Sequence, residues 1–126
     1  MQKNIFDAIS RISNGYRYHF SEIHVVNSFF VLLLLKFLYS EGFIRGFSIK
    51  KQTIIVFLKY YRSGNALNSI FCLSKPSKRF YLSKKEIVSL SKKKDFFVIL
   101  TSKGFFSNRN IFDSSFSGGE VFCVIT

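Results

Sequence analysis

At 126 residues the chain has room for one or two small domains with modest cores, and it carries a formal net charge of +12, from 19 Lys and Arg against 7 Asp and Glu. Such an excess of cations points to a polyanionic partner, nucleic acid first and an anionic membrane surface second. The two cysteines, Cys72 and Cys123, sit inside apolar stretches, which suits buried reduced thiols better than a disulfide framework or a metal site.

Ile5, Ala8, Ile9 and Ile12 recur at helical spacing, so an opening helix is predicted, stopped by Asn14-Gly15. Arg11 lies on that helix, on a face that suits either solvent or RNA. His19, Glu22 and His24 invite a metal reading. Histidines five apart share neither a helix face nor a strand face, and no third His or Cys lies near. Glu22 to Val26 reads instead as a short strand. Ser28 can cap a second helix and Gly42 can end it. Between them, Phe29 to Tyr39 is the most apolar segment of the chain. It is too short for a bilayer, which takes about 20 apolar residues, and Lys36 interrupts it; a buried core helix is expected.

Phe47 to Ile49 and Thr53 to Tyr61 read as two strands around a Lys50-Lys51-Gln52 turn. Ser63-Gly64-Asn65 is the best boundary signal, dividing an α+β domain over 1–62 from a second domain over 63–126. In the second, Ala66 to Leu73 leads into a basic segment. Ser74, Lys75, Lys78 and Arg79 surround the only proline, Pro76, and the segment closes on Phe80-Tyr81. Cations beside an aromatic pair make an RNA-facing surface, with Phe80 in the core and Tyr81 in contact. Ser83 and Glu86 have capping-box spacing, with Leu82 and Ile87 as its staple, so a short helix is predicted there. Lys92-Lys93-Lys94 reads as a solvated turn that adds nonspecific affinity.

Two apolar runs of strand type, Phe96–Leu100 and Val121–Ile125, then bracket a polar connection. It contains Thr101-Ser102-Lys103-Gly104, Arg109 and Gly118-Gly119-Glu120. Hydroxyls, one lysine and unhindered backbone N–H groups at a strand end suit phosphates, sugars and base edges. On its own, TSKG would equally be a surface turn.

Taken together the motifs resemble the bacterial-type small-subunit ribosomal protein eight family. They are RISNG (11–15, with Asp7 before it), EGFI (41–44), LKY (58–60), SKPSKRFY (74–81), TSKG (101–104) and GGE (118–120). They run in one collinear order over essentially the whole chain. The resemblance implies an α+β fold in two small domains. The amino-terminal one would be helix–strand–helix–strand–strand. The carboxyl-terminal one would be mostly β, with a helix after Ser83 and a shorter one near Ser107. It also implies a non-enzymatic constituent of the small subunit that binds the central domain of small-subunit rRNA, beside neighbouring ribosomal proteins and without a cofactor.

By that resemblance, Thr101 and Ser102 offer hydroxyls to bases and sugars, Lys103 meets phosphate, and Gly104 lets the backbone approach closely. Glu120 holds the loop or accepts a base amino group. Ser74, Lys75, Arg79, Tyr81 and Arg11 complete the RNA-facing set. The chain departs from the family pattern in four places. Ser13 replaces a second arginine; Val26, Phe29 and Val31 replace a proline and two lysines. Leu100 replaces a serine, and the segment from Arg109 to Gly118 is one residue longer.

The composition, with 17 Phe and 6 Tyr, one Pro and no Trp, follows A/T-rich codons and suggests an organellar genome, a mitochondrial one first. Asp7 falls within the helical pattern, so the amino terminus lacks an Arg-rich, acid-poor presequence, as expected for a product made inside the organelle. Two other classes fit the residues less well. A small organellar endonuclease needs clustered carboxylates, whereas Asp7, Glu22, Glu41, Glu86, Asp95, Asp113 and Glu120 are scattered. A basic peripheral membrane protein needs a cationic amphipathic helix, whereas Phe29 to Tyr39 is apolar all round.

Overall fold

The computed structural model describes residues 2–62, 64–66, 70–72, 81–83, 85–86, 96–101, 104–107 and 118–125. Contacts divide the chain into two units, Met1–Ser69 and Ile70–Thr126, and each builds its own sheet. The architecture is α+β, with helices in the first unit and mainly strands in the second, as the sequence predicts.

The first unit opens with α1, Gln2–Arg17, whose Ile5, Ala8, Ile9, Ile12 and Tyr16 are all buried. This helix runs past Asn14-Gly15, where the sequence places its end. Its true stop is His19, at φ 59, in the left-handed region that helix ends require. There the His19 N–H donates to the Tyr16 carbonyl at 3.3 Å, and the Phe20 N–H donates to the Gly15 carbonyl at 2.9 Å. Gly15 serves packing instead of termination. A Cβ there would lie 2.8 Å from both Ile23 Cγ2 and Leu58 Cδ1.

β1 (Glu22–Val26), β2 (Ile44–Ile49) and β3 (Thr53–Leu58) form an antiparallel sheet in the order β1-β3-β2. Ile23, Val25, Ile54, Val56 and Leu58 alternate onto the buried side, where α1 and α2 supply the rest of the core. β2 begins three residues earlier than its sequence pattern suggests, because Arg45 is taken up in an irregularity between Ile44 and Gly46. α2, Phe29–Ser40, is capped by Ser28, whose Oγ accepts from the Val31 N–H at 3.4 Å. Gly42, at φ 83, ends it, with Phe43 N–H donating to the Leu38 carbonyl at 2.9 Å and Gly42 N–H to that of Tyr39 at 3.1 Å. Its burial is one-sided: Val31, Leu34, Leu35, Phe37 and Leu38 are buried, whereas Phe29 and Tyr39 are exposed.

The strand expected from Thr53 to Tyr61 is broken at Lys59. The cause is Tyr16. Its buried hydroxyl accepts from the Lys59 N–H at 3.1 Å and donates to the Phe43 carbonyl, so Lys59 leaves the ladder. Beyond the break, β4 (Tyr60–Tyr61) pairs with β5 (Gly64–Asn65). The Asn65 amide ties this hairpin back to the Tyr16 carbonyl at 3.1 Å.

The second unit contains β6 (Ile70–Cys72), β7 (Tyr81–Ser83), β8 (Phe96–Thr101), β9 (Gly104–Ser107) and β10 (Gly118–Ile125). All pairings are antiparallel, in the order β6-β10-β8-β9, with β7 also on β10. Phe97, Val98 and Ile99 are buried in succession, so both faces of β8 are covered. β9 was not expected, and it turns the polar connection into a tight hairpin. A shift of register between Val121 and Cys123 leaves Phe122 as the extra residue of a bulge. After Ser83, Lys85 and Glu86 are helical. The Glu86 N–H donates to Ser83 Oγ at 3.4 Å and the Ser83 hydroxyl to Glu86 Oε1 at 3.0 Å. A short helix was expected near Ser107, but Ser107 is the last residue of strand β9, paired with Val98. Ile87, the lysine turn at 92–94 and residues 108–117 lie outside the described residues.

Candidate nucleic-acid interface

β10 lays out the candidate site. Its Glu120 pairs with Leu100 of β8 on one side and with Tyr81 of β7 on the other. Leu100 pairs in turn with Phe105 of β9, so Tyr81, Glu120, Leu100 and Phe105 form one row across four strands. One step further along β8, Thr101 pairs with Gly104 and closes the hairpin around 102–103. Glycines 118 and 119 run beside Ser83 and Leu82 at the same end of the sheet. A carboxylate position, an aromatic position and a hydroxyl-bearing turn are therefore neighbours, although they are far apart in sequence.

Gly104 has φ +120, a conformation that a side chain disfavours, and a Cβ built there would meet nothing within 4 Å. Backbone conformation, not crowding by any described residue, requires this glycine. Tyr81 is 69% exposed, on the outside of the sheet. Thr101 and Glu120 are placed by their backbone positions. Ser74, Lys75, Arg79, Ser102 and Lys103 lie outside the described residues.

Arg11 belongs to the first unit and is engaged within it. Its Nε lies 3.0 Å from Asp7 Oδ2, and one terminal nitrogen donates to the His24 carbonyl at 3.4 Å. The side chain is still 55% exposed, so the pair is a weak surface one that leaves part of the guanidinium facing solvent. Glu22 and His24 alternate onto the exposed side of β1, 4.0 Å apart. Among the described residues no three His, Cys, Asp or Glu side chains converge, and no helix is long and apolar enough to cross a membrane.

One group escaped the sequence reading. Arg45, Lys59, Tyr60 and His19 come together at the end of α1 and line one cleft. The alternation of basic and aromatic residues in YRYHF (16–20) and LKYYR (58–62) was the available signal.

The profile of the family described as Ribosomal protein S8 matches residues 3–126. The small ribosomal subunit protein uS8m of Acanthamoeba castellanii is 38% identical over 99 residues, covering 76% of this chain and 78% of that protein. The uS8 protein of Syntrophus aciditrophicus (strain SB) is 34% identical over 131 aligned positions, covering 99% and 98%. That of Nitrosomonas europaea is 33% identical over 130, covering 100% and 98%.

Proposed function

The chain belongs to the ribosomal protein S8 family of the small ribosomal subunit, and from that premise we propose that it binds the central domain of small-subunit rRNA through its carboxyl-terminal unit. The turn between β8 and β9 is its reading head: Ser102 and Thr101 contact bases and sugars, and Lys103 contacts phosphate. Glu120 orders that turn or accepts a base amino group, and Tyr81 stacks on or borders the RNA. Ser74, Lys75 and Arg79 extend the basic surface, and Arg11 adds a peripheral phosphate contact. The observation that carries this reading is the register of β10, which sets Glu120 between Tyr81 and Leu100, one step from the Thr101–Gly104 rung.

The chain acts as a structural constituent that supports subunit assembly among neighbouring ribosomal proteins, with no catalytic step. Its place is a mitochondrial ribosome. That assignment is supported by the 38% identity to a mitochondrial relative and by the Phe-rich, A/T-type composition. Proteins that read RNA sequence target irregular or unpaired sites, because the major groove of a regular A-form helix is too narrow for side chains. The RNA partner is therefore an irregular helix.

The test is parallel titration of the protein, Ser102→Ala and Glu120→Gln on a small-subunit rRNA fragment and on tRNA, at fixed salt. Circular dichroism first establishes that each variant is folded. Ser102→Ala is expected to lose about 1–3 kcal/mol on the rRNA fragment and almost nothing on tRNA, the scale of one hydrogen bond removed from a desolvated interface. Glu120→Gln removes a negative charge, yet should not tighten binding to the rRNA fragment. If Glu120→Gln binds both RNAs more tightly while Ser102→Ala is neutral on both, the loop is not the reading head.

A further inference from the structure

Where α1 ends, the first unit gathers cations and rings that its core does not use. An open cleft of about 560 Å³ is lined by His19, Ser21, Arg45, Leu58, Lys59 and Tyr60, with no acid among them. The His19 and Tyr60 rings lie 6.1 Å apart. Tyr60 is anchored by its hydroxyl, which donates to the Phe20 carbonyl at 2.6 Å, and by an edge-on approach to the Tyr16 ring at 5.5 Å. The Arg45 guanidinium sits 5.3 Å from the Phe57 ring, and the Lys59 ammonium 5.3 Å from that of Tyr61.

We propose that this cleft takes one unpaired nucleotide of an RNA strand, with the base against His19 and Tyr60 and the flanking phosphates on Arg45 and Lys59. The proposal rests on the RNA-binding reading above but uses the other unit of the protein. An anion alone would need only the cations. Rings at the cleft wall add what a base can use, because every base has a face to stack.

The test uses the whole chain and a short labelled oligouridine. In His19→Asn the ring is lost, while asparagine still accepts the left-handed backbone. It should weaken binding roughly fivefold or more, the low end for one stacked base, without changing the salt dependence. Arg45→Ala with Lys59→Ala should lower the slope of log affinity against log salt by about 1.4, the value for two phosphates on a single strand. Ser102→Ala should leave oligouridine binding unchanged. If all these substitutions are neutral on oligouridine, the cleft is not an RNA site, whereas the fate of the rRNA reading is decided separately by Ser102 on the rRNA fragment. In the unaltered protein, a strand carrying 4-thiouridine should cross-link to His19, Tyr60 or Tyr61. Adducts confined to Ile70–Thr126 overturn the proposal, as does equal competition by polyglutamate of matching charge.

The carboxyl-terminal sheet carries a second inference independently. Cys72 and Cys123, the two cysteines of the chain, are register partners on antiparallel β6 and β10, and among the described strands β6 lies at the edge of the sheet. Opposed Cα atoms in such a pair stand about 4.5 or 5.5 Å apart, and both distances fall within the roughly 4.4–6.8 Å that a disulfide spans. We infer that the pair is a thiol–disulfide exchange site for a low-molecular-weight disulfide such as oxidised glutathione. One cysteine thiolate attacks a glutathione sulfur and releases glutathione thiolate, which takes a proton. The other cysteine thiolate then attacks the protein sulfur of the mixed disulfide and releases the second glutathione. The protein loses two hydrogens, and one disulfide becomes two thiols. Incubation with oxidised glutathione should lower the protein mass by about 2 Da, block both alkylation sites and raise the thermal midpoint, all reversed by dithiothreitol. Cys72→Ser should stop at the mixed disulfide. A stable glutathione adduct on the unaltered protein, or two thiols still alkylated under native conditions, overturns the inference.

Discussion

Tyr16 joins three parts of the first unit through a single side chain. It is fully buried on α1, its hydroxyl meets both the turn after α2 and the break after β3, and its ring packs edge-on against Tyr60. Tyr16→Phe keeps the ring but strands the Lys59 N–H and the Phe43 carbonyl. It should cost about 1–3 kcal/mol, seen as a lower urea midpoint with helical content retained. Burial chiefly raises the pKa of this phenol. The hydrogen bond from Lys59 opposes the rise, and Tyr60 and Tyr61 add to it. A raised phenol pKa makes stability complete below about pH 10, the unfolded value, and lost as pH climbs through the folded value. Urea midpoints of the native protein should therefore fall above about pH 10, and Tyr16→Phe should fall less steeply. An equal fall in both proteins would assign the alkaline loss to other groups.

Among the elements, those with purely local signals were legible in the sequence. α2 carries its own cap at Ser28 and its own stop at Gly42, and β1 alternates polar and apolar residues over 22–25. The end of α1 was misplaced because Asn14-Gly15 looks like a stop. What keeps Gly15 helical is the approach of Ile23 and Leu58, and that need is invisible in local sequence. Lys59 breaks a strand for a similar reason, since its partner Tyr16 lies on another element. In the site, TSKG and GGE could be read as motifs. The rung that puts Tyr81 opposite Glu120 is a product of strand pairing alone. β9 was missed because a four-residue strand, Gly104–Ser107, gives little pattern to detect. Its first residue supplies a test at this scale. Gly104→Ala places a side chain at φ +120 in open space, so the cost is conformational and amounts to about 1–3 kcal/mol. Hydrogen exchange should speed up for amides of β8 and β9 while those of α1 and β3 keep their protection. Unchanged protection in the hairpin would mean that the backbone relaxes to accommodate the alanine.

At the scale of the whole molecule, a net charge of +12 favours nonspecific affinity for nucleic acid, on which the proposed local reading would be superimposed. Basic residues outside the carboxyl-terminal loops should act generically, as phosphate contacts. Lys93→Ala is expected to weaken rRNA binding slightly and to lower the salt slope by up to about one unit, with the preference for rRNA over tRNA intact. A marked loss of preference would give the lysine turn a reading role.

The division into two units has a consequence for how the protein is observed. The chain has no tryptophan, and Tyr16, Tyr18, Tyr39, Tyr60 and Tyr61 precede the division at Ser69, leaving Tyr81 as the one tyrosine beyond it. Intrinsic fluorescence is therefore tyrosine emission that comes almost entirely from the amino-terminal unit. The unit proposed to read RNA is nearly dark. Its sheet could melt, or its edge strand could detach, with little change in emission. A single smooth transition in fluorescence reports the helical half, and following the other half calls for a tryptophan introduced into the second unit.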